Sequence, residues 1–179
     1  MDDCVGRVIV GVSGSVGSLQ ALRRGVGEAR LRAIPLYAVF AWTPPGGEAA
    51  ARRPVDPRLL AFWEASAWGL LQTAWDEALG GYPSDVDVRL LVARGTPGRV
   101  LVNLTDDEKD LLVIGAGSRN PLRRALVPSV SRYCVAHAPC PVLAVPPSPL
   151  ARQLAHGVLP GVFRRRRAVA QLVGDVKQP

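Results

Sequence analysis

Leu111-Leu112-Val113-Ile114-Gly115-Ala116-Gly117-Ser118-Arg119-Asn120, running on to Pro128-Ser129-Val130-Ser131, is the stretch around which this chain is organised. Four apolar residues make a buried strand, and small residues then open a loop. Ser129 is placed to cap a helix that runs through Val130, Tyr133, Cys134 and Val135 and ends near His137. A parallel strand that ends in a Gly-rich loop before a helix brings backbone N–H groups and a helix N-terminus to the carboxyl edge of a sheet. Phosphates bind there in open α/β folds.

The flanking segments repeat that unit. Arg7-Val8-Ile9-Val10-Gly11-Val12 is a β-branched strand ending in the turn Ser13-Gly14-Ser15. A helix follows, with Leu19, Leu22, Val26 and Ala29 on one face and Arg23, Arg24, Glu28 and Arg30 largely off it. Ile34 to Trp42 is a second apolar run. Residues 43 to 58, rich in Pro, Gly and Arg, are expected to form a surface loop that could serve as a lid. The pattern Leu60, Trp63, Ala67, Leu70, Leu71, Ala74, Trp75, Ala78 predicts an amphipathic helix from Pro57 to Leu79, its tryptophans serving as core or dimer contacts. Val86 to Val92 reads as a third strand. Thr96 and Pro97 open a further helix carrying Val100, Leu101 and Leu104. Asp106 to Asp110 reads as a solvated turn into the fourth strand, and Pro141 to Pro147 as a proline-bounded edge strand. Strands alternating with helices in this way imply α/β architecture, a parallel sheet with helices on both faces.

The chain has 179 residues, enough for one domain and an appendage. No apolar run is long enough to span a membrane, and no signal peptide is evident, so a soluble, cytoplasmic protein is expected. The three cysteines, Cys4, Cys134 and Cys140, are too few for a disulfide framework, and Cys134, His137 and Cys140 lack the spacing of a zinc site. The net charge of +7 is uneven: residues 151 to 179 hold six basic groups against one acidic. Arg164-Arg165-Arg166-Arg167 in that tail could contact an anionic surface, and residues 158 to 173 could form a basic amphipathic helix.

Three places resemble the universal stress protein family, in a bacterial, actinobacterial-like form: Val8 to Ser15, Asp110 to Gly115, and Pro128 to Ser131 through Cys140-Pro141-Val142-Leu143-Ala144-Val145. The resemblance covers nearly all of residues 5 to 147. It implies a Rossmann-like open five-stranded parallel sheet of order 3-2-1-4-5 in a domain of residues 1–149, with 150–179 as a basic extension. It also implies a homodimer through the last strand, Val142–Val145. The one cofactor it implies is ATP with Mg. Carried over residue by residue, Gly11, Val12, Ser13 and Ala41 would line the base end, and Ile114, Gly115, Ser118, Ser129 and Val130 would face ribose and phosphates.

ATP-binding members of the family carry Gly, two residues, Gly, nine residues, Gly, then Ser or Thr. From Gly115 the second glycine position is Ser118, the third is Pro128, and the hydroxyl is Ser129. The acidic residue usual after the first strand is Ser13. A Cβ at Ser118 crowds a phosphate against the backbone, and Pro128 removes an N–H donor. Losing one charge-assisted hydrogen bond costs about 1.5 to 3 kcal/mol, ten- to more than a hundred-fold in affinity. Against this, Ser129, the helix start, and Arg119, Arg123, Arg124 and Arg132 still favour an anion. The expectation is a stress-response protein acting through dimerisation and an unidentified protein partner, with weak or lost ATP binding. A nucleotide-gated switch that does bind ATP is the alternative. Ser13-Gly14-Ser15-Val16-Gly17-Ser18 also looks like the SGGxDS loop of ATP pyrophosphatases, with Gly17 at its acidic position. No acid, base or nucleophile constellation supports an enzyme beyond a slow, incidental ATPase.

Overall fold

A computed structural model describes residues 6–47, 55–116 and 129–148. Ser118, Pro128, Arg119, Arg123, Arg124, the central part of the expected lid, the boundary at residue 149 and the basic extension lie outside these residues. Strand β1 (Val8–Val12), helix α1 (Val16–Arg32), β2 (Leu36–Trp42), α2 (Pro57–Leu79) and β3 (Val88–Arg94) come first. Then follow α3 (Pro97–Leu104), β4 (Leu111–Gly115), α4 (Val130–His137) and β5 (Val142–Val145). The five strands pair in parallel in the order β3-β2-β1-β4-β5, so the expected 3-2-1-4-5 sheet is found.

The apolar runs explain the layers. Alternate residues of β1 enter two separate cores, as expected of a parallel strand covered on both faces. Val8, Val10 and Val12 pack with Leu22 and Val26 of α1 and Leu71 and Trp75 of α2. Ile9 packs on the opposite face with Leu112 and Ile114 of β4, Leu101 of α3 and Cys134 of α4. Helix α1 lies close against β1 at Gly25, where an added Cβ would run into Cγ2 of Val10. None of the described helices is long and apolar enough to cross a membrane.

Several local readings need correction. Glu28, placed off the apolar face of α1, is buried and held by Arg24 at 2.5 Å and by Arg32. Long arginine stems cover the carboxylate, so its burial follows from its i,i+4 partners rather than from its own polarity. Strand β3 begins at Val88, two residues later than expected, and Val86 packs on the core from outside the strand. Leu70, counted among the core positions of α2, is 47% exposed. Thr96 does sit at the N-cap of α3, but its side chain makes no capping hydrogen bond.

The largest departure lies before β4. Asp106 is exposed as a solvated turn requires, but Asp110 is only 1% exposed. It accepts from the backbone N–H of Arg7 at 2.9 Å and from the Arg7 guanidinium at 3.1 and 2.7 Å. Arg7 donates further to the carbonyl of Leu104 at 3.1 Å, which leaves the buried carboxylate paired and hydrogen-bonded. This cluster ties the starts of β1 and β4 together, at the edge of the sheet opposite the Gly115 loop. The same bonds raise the Arg7 pKa further.

Candidate functional site

The two central strands separate at their carboxyl ends. The β1–β4 ladder stops at Val10↔Val113, whereas β1 stays paired with β2 to Val12↔Phe40 and β4 with β5 to Gly115↔Val145. A crevice therefore opens beyond Val10 and Val113, where strand order reverses, the position at which open α/β sheets bind ligands. Gly11 and Val12 lie on its β1 wall, with Ser13 just past the strand. Ile114 and Gly115 lie on the β4 wall, and Ala41 stands one residue beyond the partner of Val12 on β2.

Two helix starts face this edge. Ser15 caps α1 by accepting from the Ser18 N–H at 3.3 Å, and Ser129 caps α4 by accepting from the Arg132 N–H at 3.4 Å. Neither helix has an acidic residue in its first turn, so the positive end of each dipole is left for an anion. The hydroxyls themselves are engaged nearby: Ser13 and Ser15 oxygens lie 3.0 Å apart, and Ser129 and Ser131 oxygens 2.8 Å apart. Ser18 donates to the Ser15 carbonyl at 2.8 Å. In the segment that looks like a pyrophosphatase loop, the Ser15 and Ser18 side chains thus serve to start a helix.

The glycines at the crevice are accounted for by packing. A Cβ on Gly115 would stand 2.8 Å from the carbonyl carbon of Gly17, 2.9 Å from its oxygen and 3.2 Å from the Ser18 nitrogen. The end of β4 thus abuts the backbone of the first turn of α1. A Cβ on Gly11 would stand 2.8 Å from Cδ1 of Leu101, which is buried against the sheet. Sequence reasoning missed both partners, because neither Gly17 nor Leu101 is near its contact in the chain. It also missed an aromatic pair beside Ala41: Trp42, the last residue of β2, lies 6.5 Å from Trp63 between ring centroids. The Trp63 indole N–H is buried and has no hydrogen-bond partner among the described residues. Trp42 adjoins Ala41 in the sequence, and that adjacency was the available signal.

Below α4, Cys134 and Cys140 are buried free thiols. Burial, and secondarily the neighbouring Cys140, pushes the Cys134 thiol up to about 11. His137 stacks on Tyr133 at 4.2 Å, and its Nδ1 lies 2.9 Å from the Tyr133 carbonyl oxygen.

The open parallel sheet, the crevice at its switch point and the capped helix starts together define a Rossmann-like α/β domain. The sequence profile of the universal stress protein family matches residues 5–146, and the chain belongs to that family. Solved structures agree. A universal stress protein in complex with cAMP is 25% identical, with 80% of this chain and 98% of that one covered at a TM-score of 0.52. UspA from Lactobacillus plantarum is 24% identical over 78% of this chain and 97% of its own, with a TM-score of 0.57. Hypothetical protein MJ0577 shares the fold at 17% identity and a TM-score of 0.62, over 80% of this chain and 96% of its own.

Proposed function

We propose that this protein is a cytoplasmic stress-response protein that works by association rather than catalysis, and that its adenine-nucleotide site is weak or lost. One observation carries this reading. The space beside the retained motif glycine and beside Gly11 of β1 is already filled by protein, Gly115 by the backbone of Gly17 and Gly11 by Leu101, so their presence needs no phosphate to explain it. The positions at which the family's motif has glycine and this chain has none are Ser118 and Pro128. Association is the remaining mode of action. Strand β5 is four residues long, lies at the sheet edge and is only half-buried, which suits pairing of Val142–Val145 with a second copy. Arg164–Arg167 would add contact with an anionic surface, alongside an unidentified protein partner.

The alternative is a nucleotide-gated switch using ATP with Mg. It is favoured by the crevice, the two helix starts free of acidic side chains, and the relative that is found in complex with cAMP. Calorimetric titration with Mg-ATP, AMP and cAMP separates the two readings. The proposed one expects negligible heat from the natural protein and measurable binding by a Ser118→Gly/Pro128→Gly variant. Micromolar binding by the natural protein establishes the switch instead.

A further inference from the structure

Helix α2 carries a second face that the described residues leave exposed. Its inner side, with Leu71, Ala74 and Trp75, is buried in the core. On nearly the opposite side of the helix, Leu59, Phe62, Ser66, Gly69, Thr73 and Asp76 follow one another in alternating steps of three and four, the spacing of a helix–helix seam. Leu59 is 37% and Phe62 53% exposed. Ser66 and Thr73 turn their hydroxyls inward, donating to the carbonyls of Phe62 at 2.8 Å and Gly69 at 2.9 Å. Their carbon atoms, rather than free donors, therefore face outward. At Gly69 nothing lies within 4 Å of a Cβ position, so the fold does not require a glycine there, although a mid-helix glycine weakens the helix.

The charges of α2 oppose its own dipole. Arg58 stands in the first turn and Asp76 and Glu77 in the last, the reverse of what a helix macrodipole favours. Asp56 caps the N-terminus, and Arg23 donates to the carbonyls of Ala78 at 2.6 Å and Glu77 at 3.3 Å, which partly offsets this. The Arg58, Asp76 and Glu77 side chains enter no ion pair among the described residues. Arg58 and Asp76 lie five whole turns apart, on one line along the helix and about 27 Å from each other.

We propose that this face docks a second copy of the chain, α2 against α2 and antiparallel, about a two-fold axis level with Ala67. That symmetry sets Arg58 of each copy against Asp76 of the other, so each unfavourable end charge gains its counter-charge. Phe62 of one copy lies over Gly69 and Thr73 of the other, large against small. The contact is a helix about 35 Å long and about 10 Å wide, a modest area that suits reversible micromolar association. It is separate from the β5 edge and independent of nucleotide binding.

Sedimentation velocity on the full chain, from low micromolar to several hundred micromolar, tests the proposal. The natural protein shows one concentration-dependent doubling: monomer to dimer, or dimer to tetramer where β5 edges also pair. Phe62→Asp, Arg58→Asp and Asp76→Arg each weaken that step by about tenfold or more, and the exchange Arg58→Asp/Asp76→Arg restores it. Both charge changes agree with the dipole, so Tm holds or rises while association falls, the opposite of what misfolding would give. No doubling, a doubling insensitive to Phe62→Asp, or an exchange variant that stays as weak as the single changes overturns the proposal.

Discussion

Replacing Gly115 with alanine, beside the matched change Gly17→Ala, tests whether the crevice glycine is there for the fold. The two residues touch, yet the structure makes the outcomes opposite. A Cβ on Gly115 meets three backbone atoms at 2.8, 2.9 and 3.2 Å, whereas one on Gly17 finds only the Gly115 Cα at 4.0 Å. Ordinary contacts begin near 3.4 Å, so Gly115→Ala demands a shift of roughly half an ångström or more between β4 and α1. Neither side yields readily: Gly115 is paired with Val145, and the first turn of α1 is fixed by its Ser15 cap. Overpacking of this kind costs about 1 to 3 kcal/mol, and 2 kcal/mol moves a urea midpoint by about 1 M at a typical slope. Gly17→Ala is expected to be neutral or mildly stabilising, since it adds a better helix former in open space. Urea unfolding followed by the fluorescence of the tryptophans and by circular dichroism reads both. A Gly115→Ala protein as stable as the natural one, or Gly17→Ala as the more damaging change, refutes the packing account and returns Gly115 to a ligand role.

Helix α1 offers a similar contrast: Gly27→Ala, with nothing within 4 Å, is expected to stabilise by about 0.5 to 1 kcal/mol, and Gly25→Ala, which meets Val10, to destabilise, as thermal melts will show. Asp110→Ala strands the partly covered Arg7 charge and is expected to cost about 3 kcal/mol in the same urea assay. The Cys134 pKa, raised to about 11 by burial and then by Cys140, means that the folded chain keeps a proton that an unfolded thiol releases near 9. The stability this contributes is complete below about pH 9 and is lost as pH rises through 11, so Cys134→Ala is expected to flatten the decline of the urea midpoint across that window. The Arg30 guanidinium holds the exposed Asp85 carboxyl below its ordinary range, so that pair contributes above the usual carboxylate pKa and fades on acidification. Its loss in Asp85→Asn is expected to be small and to shrink further in salt.

The architecture was legible because parallel strands buried on both faces leave unbroken β-branched runs. Val8–Val12 and Leu111–Gly115 could be read directly, and the spacing of α2 set its ends at Pro57 and Leu79. What stayed hidden depends on contacts distant in the chain. Asp110 looked like one more carboxylate of a turn until Arg7 was seen across the sheet, and Glu28 looked like surface until Arg24 and Arg32 were seen to cover it. Of the residues carried over by resemblance, Gly11, Val12, Ser13, Ala41, Ile114, Gly115, Ser129 and Val130 lie at one end of the sheet. The reason for the glycines was not legible, because composition cannot show whether the space beside a glycine holds a ligand or a neighbouring backbone.

The tie between Arg7 and Asp110 joins residues 103 positions apart. Closing a loop of that length costs roughly 4 kcal/mol of chain entropy before any contact rewards it. The crossover succession β1-α1-β2-α2-β3 closes shorter loops and can form during synthesis while β4 is still being made. The crevice between β1 and β4 therefore exists only once about two-thirds of the chain has arrived, so whatever engages it discriminates chains that have completed β4 from shorter nascent ones.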